Sequence, residues 1–80
     1  MDRQMILDYL KFAERHVANG TAHVKRQRQV IADLDRDGHP TGRSEQLLAV
    51  FENFLTMHIA VRDRLLGELR ESDSRANSSY

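Results

Sequence analysis

Eighty residues hold one domain and exclude a second, because independent domains typically run to about 100 residues and the smallest self-sufficient cores lie only somewhat lower. The chain has no cysteine, which excludes a disulfide framework, a thiolate zinc site and a thiol nucleophile, so the stability of a small core has to come from helix packing, a non-thiolate ligand or association. Twelve basic and twelve acidic side chains cancel, which excludes a global field drawing the molecule to nucleic acid or an anionic membrane.

The N-terminal residues show no basic segment leading into an apolar one, so no secretory signal is expected and the cytoplasm is the default location. From Ile6 onward, apolar or small residues recur at alternating steps of four and three: Leu10, Ala13, Val17, Gly20, Val24, Gln27, Ile31 and Leu34. This is a heptad seam. Asp2 is placed to cap its start, and Asp37, Gly38, His39 and Pro40 supply a glycine for a left-handed terminal residue and a proline that cannot continue a helix. The pattern predicts a first helix from about residue 3 to about residue 37 and a loop over about 38–41. Asn19-Gly20 often marks a turn. A turn would reset the phase, however, and Val24, Ile31 and Leu34 keep the register set by Ile6, Leu10 and Val17. Gly20 is therefore expected inside the helix, where a neighbouring backbone comes close, at a cost of about 1 kcal/mol in propensity.

Thr41 or Ser44 can cap a second helix, over about 42–71, with the seam Leu48, Phe51, Leu55, His58, Arg62, Leu65 and Leu69. Its longest uninterrupted apolar stretch is about five residues, far short of the roughly 20 that span a bilayer. Residues 72–80 are small and polar, the composition of a disordered tail. Two long helices joined by a short loop must lie antiparallel, so the expected fold is an all-α helical hairpin. Leu47, Phe54 and Val61 on one flank of the second seam, with Ile59 and Leu66 on the other, make an apolar face wider than one neighbouring helix can cover. These five residues are the expected oligomer interface, and the simplest closed arrangement is a twofold dimer forming a four-helix bundle.

His16, His23 and Gln27 fall within the apolar arc of the first helix, and His58 and Arg62 occupy seam positions on the second. Matching Ile31 with Leu48 and Val24 with Leu55 puts His23 level with His58, His16 with Arg62 and Gln27 with Glu52, a polar layer in the core. Buried imidazole or guanidinium needs a partner. Three readings arise: a hydrogen-bonded layer fixing register and oligomeric state, a metal or haem site using His23 and His58, doubled by symmetry, or a switch that charges the layer as pH falls. His16 and His23 stand about 10 Å apart along the axis and cannot easily share one metal. The Glu-x-x-His pattern of di-iron bundles is absent. His39 is expected to be a turn residue.

Lys25, Arg26 and Arg28 form the densest basic run, the candidate footprint if a hairpin dimer binds RNA. The run wraps around the helix and is followed by Asp33, Asp35 and Asp37, which favours a solvated face. The serines sit in caps or the tail, no hydroxyl has a histidine at fixed helical spacing, and no glycine-rich phosphate loop occurs, so no enzyme is expected.

The segments Ala13 to Ala18 and His23 to Gln27, the loop Asp35 to His39, and Leu47, Leu48, Phe51 and Glu52 with His58 and Arg62 together resemble small bacterial helical-hairpin proteins that carry no assigned function. The likeness covers about residues 10–70 and implies a cytoplasmic helical hairpin with no residue roles to transfer. The resulting expectation is a homodimeric interaction or regulatory module without catalytic activity or cofactor. The alternatives are a bundle that binds metal or haem through buried histidines, and an RNA-binding hairpin dimer.

Overall fold

The computed structural model describes residues 2–77, which form two helices, α1 (Arg3–Arg36) and α2 (Gly42–Asn77), packed side by side as an antiparallel hairpin. Asp2 caps α1 as expected: its extended backbone lets the carboxylate accept from the Met5 N–H at 2.8 Å. The helix then runs unbroken through Asn19-Gly20. A Cβ on Gly20 would lie 3.2 Å from Leu55 Cδ1 and 3.7 Å from Leu55 Cα, so the absent side chain admits the α2 backbone at this level.

At the far end the Gly38 N–H donates to the Asp35 carbonyl and the His39 N–H to that of Leu34, with Gly38 at φ 76°. The left-handed glycine turns the chain back over the last turn of α1. Thr41 takes the cap position of α2, since its carbonyl accepts from the Glu45 N–H, while Ser44 lies inside the helix.

One boundary differs from expectation. The second helix continues past Glu71 to Asn77, so residues 72–77 are helical, while 78–80 lie outside the described residues. No glycine or proline interrupts this stretch, and it carries a Glu71–Arg75 contact at helical spacing (3.9 Å) and an Arg3–Asp73 ion pair of 2.9 Å across the hairpin. The register also differs. His16 stacks on His58 and His23 on Phe51, instead of Arg62 and His58 respectively, a displacement of one turn for the first and two for the second. Extending that pairing by nine residues sets Gly42 level with Ala32. The linking residues fold back along α1, and α2 starts about a turn below the end of its partner.

Ile6, Leu10, Ala13, Val24 and Leu65 make up the buried apolar core, and no described side chain is completely enclosed. The hairpin is a rod 67 Å long and about 15 Å thick, with 6349 Å² of accessible surface. A compact protein of 9.3 kDa exposes roughly 5,000 Å² by the usual scaling. The excess, roughly 1,400 Å², comes from having one neighbour per helix where a bundle gives two. Among the described residues, no helix is long and apolar enough to cross a membrane.

Candidate functional site: a histidine-lined apolar face

The two sides of the hairpin are chemically unlike. On one side the groove between the helices is flanked by Thr21, Lys25, Arg28, Gln29, Glu52 and Thr56, with Ile59 half-buried at its edge. Both threonine hydroxyls there donate to the backbone carbonyl four residues earlier, Thr21 to Val17 and Thr56 to Glu52. The basic run is divided by helix geometry: Lys25 and Arg28 border this groove opposite Glu52, whereas Arg26 is exposed on the other flank of α1, between His23 and Val30 in the three-four series.

The other side is apolar. Met5, Tyr9, Phe12 and Val30 are 36–55% exposed on α1, and Leu47, Val50, Phe54, Met57 and Val61 are 43–60% exposed on α2. On α2 these residues follow three- and four-residue steps, and on α1 the same series joins Phe12 to Val30 through His16, Asn19, His23 and Arg26, a second stripe about 100° around from the buried one. The two stripes border one shared groove, for Tyr9 and Phe12 line it with Val61, and His16 and His23 line it with Phe54. At its centre is a cavity of about 290 Å³ bounded by His16, Asn19, Gly20, His23, Phe51, Phe54 and His58.

Three imidazoles thus meet at the middle of the open face. His16 and His58 stack with ring centroids 5.0 Å apart and planes 16° from parallel, and the His23 ring lies 5.6 Å from that of Phe51. Among the described residues, no three histidine, cysteine or acidic side chains of one chain are spaced to hold a metal ion.

The expected polar layer is therefore divided. Gln27 is the member that is buried, its amide donating to the Ser44 carbonyl at 2.9 Å. His16 and His23 are exposed in the single hairpin, His58 is half-buried, and Arg62 turns outward to pair with Asp63 at 3.1 Å. The facing pair is His16 with His58, not His23 with His58. Of the five expected interface residues, Leu47, Phe54 and Val61 lie exposed on the apolar face; Ile59 borders the opposite groove, and Leu66 packs against the cluster of Leu10, Ala13 and Leu65. Val50 and Met57, together with Met5 and Tyr9, complete the stripes and were legible as the second three-four series in each helix.

The class these features define is a two-helix hairpin with one uncovered heptad face. The chain matches no protein-family model, and neither a curated protein nor a solved structure shows significant similarity to it.

Proposed function

We propose that this chain is a homodimerising helical module, in which two hairpins pack apolar face to apolar face as a four-helix bundle that serves in protein interaction or regulation and carries out no reaction. The observation that carries this reading is the pair of uncovered heptad stripes on one side of the rod. A stripe of that period is what a helix needs against a second neighbour. The surface in excess of a compact chain, roughly 1,400 Å², is also on the scale of an obligate interface, which removes about 1,000 Å² or more from each partner. The opposite side keeps the charges, with Lys25, Arg28 and Glu52 left facing water.

The threonine hydroxyls at the charged groove, Thr21 and Thr56, are engaged with backbone carbonyls and lie on the side away from the histidines, which supports a non-catalytic role. Sedimentation equilibrium at micromolar concentration tests the proposal. The expected species has twice the 9.3 kDa chain mass. A monomer that unfolds cooperatively at that concentration overturns it.

A further inference from the structure

We propose that the dimer is antiparallel and that its interface builds two equivalent sites for a divalent transition-metal cation of the zinc class, each formed by His16 and His58 of one chain and His23 of the other. This rests on the dimer reading above and adds to it an orientation and a ligand.

The orientation follows from the stripes. On α2 the exposed apolar residues are centred on Phe54, with Leu47 and Val61 each seven residues away. The His16–His58 and His23–Phe51 contacts put Phe54 level with Gly20 on α1. About nearly the same point, between Asn19 and Gly20, Tyr9 mirrors Val30 and His16 mirrors His23. A twofold axis through this level lays Leu47 on Val61, Phe54 on itself and Tyr9 on Val30, and it sets Arg26 level with Ala13 and beside Phe12 of the partner. The parallel alternative sets the α1 stripe beside the partner's α2 stripe at equal levels, which puts Tyr9 against Arg64 and Arg26 against Leu47. Desolvating a guanidinium against an aliphatic side chain costs free energy, whereas the antiparallel arrangement offers Arg26 the aromatic face of Phe12, which attracts a cation.

The ligand follows from the orientation. Within one chain His16 and His23 are about 10 Å apart along α1, and a single hairpin offers no adequate set of three ligands. The twofold axis brings the partner's His23 level with His16, beside the His58 ring already stacked on it 5.0 Å away. Three neutral imidazoles, able to turn about χ2 so that each places a nitrogen about 2.0–2.1 Å from one ion, are a borderline donor set suited to zinc, cobalt or nickel. Asn19 and Phe54 border the same cavity.

The test uses tag-free chain, Zn(II) titration by calorimetry, the visible spectrum with Co(II), and sedimentation of the same samples. The expected result is a dimer taking one cation per chain, with affinity at least tenfold lower in each of His16→Ala, His23→Ala and His58→Ala, and unchanged in His39→Ala, whose ring lies in the loop. Mixing the His23→Ala and His58→Ala chains separates a shared site from an internal one. Each mixed dimer regains one complete shared site, so a random mixture recovers about a quarter of the parent capacity, whereas a site within one chain recovers nothing. A dimer that takes up no zinc, or binds it equally well without these histidines, overturns the metal site and leaves the dimer standing. A folded monomer overturns both.

Discussion

Phe54 offers the sharpest test of how much of this molecule's free energy lies between chains. It is 54% exposed in the single hairpin, at the centre of the α2 stripe. An aromatic side chain presents roughly 200 Å², so roughly 110 Å² per chain and 220 Å² per twofold dimer remain for a partner to cover. At about 25 cal/mol per Å², covering that area contributes at most about 5 kcal/mol. Ordering of side chains and loss of rigid-body freedom consume part of it, so Phe54→Ala is expected to weaken the dimer by about 2–5 kcal/mol, a rise in Kd of roughly 30-fold to several thousandfold. Analytical ultracentrifugation over a dilution series reads this directly. Circular dichroism of the dilute variant should retain the helical signal, because within the hairpin the ring is more than half in water. A Phe54→Ala chain that associates as tightly as the parent would refute the assignment of this face as the interface.

The glycines give paired expectations. Gly67 lies inside α2 with nothing within 4 Å of an added Cβ, so Gly67→Ala should stabilise by about 0.8–1 kcal/mol and raise the melting midpoint by about 4–8 °C. Gly20→Ala should gain distinctly less in the same calorimetric scan, because its Cβ would sit 3.2 Å from Leu55 Cδ1; an equal gain would contradict the close approach of the helices. Gly38→Ala, at φ 76°, should cost roughly 1–2 kcal/mol in urea denaturation, and no loss would mean that the left-handed stop does not hold the end of α1. Gln27→Leu keeps the volume and removes the bond to the Ser44 carbonyl; the expected loss is about 1 kcal/mol, and faster amide exchange at the start of α2 would accompany it.

The hairpin was legible because its signals agree across levels. The phase of Ile6, Leu10 and Val17 persists through Gly20 to Ile31, and the stop at Gly38 coincides with a return of the chain. The end of α2 was not legible. Ser72, Asp73 and Ser74 have weak helix propensity but contain no breaker, and the Arg3–Asp73 pair that accompanies the added turn joins residues at opposite ends of the chain. The register escaped for a different reason. Two heptad seams match nearly as well after a slip of one repeat, so apolar residues alone do not rank the alternatives. The choice is made in the linker, where bonds from Gly38 and His39 to the preceding carbonyls fold it back along α1 and start α2 a turn lower than a symmetric loop would. The Gln27 amide then meets the Ser44 carbonyl instead of lying level with Glu52.

The histidines show the same limit at the level of function. Their phase places His16 and His23 beside the apolar seam of α1, which is where the structure puts them, yet they are exposed and not in a core. A helix with one neighbour buries one seam, and residues about 100° from it stand at the rim of the groove. A second hairpin on the open side would turn that rim into an interior without moving any residue within its helix. In the single hairpin His16 and His58 are a stacked pair at the edge of water; in the proposed antiparallel dimer they would meet the partner's His23 away from it. If the proposed antiparallel dimer forms, the groups that could act together are assembled across its twofold axis, and the single hairpin holds only part of the set.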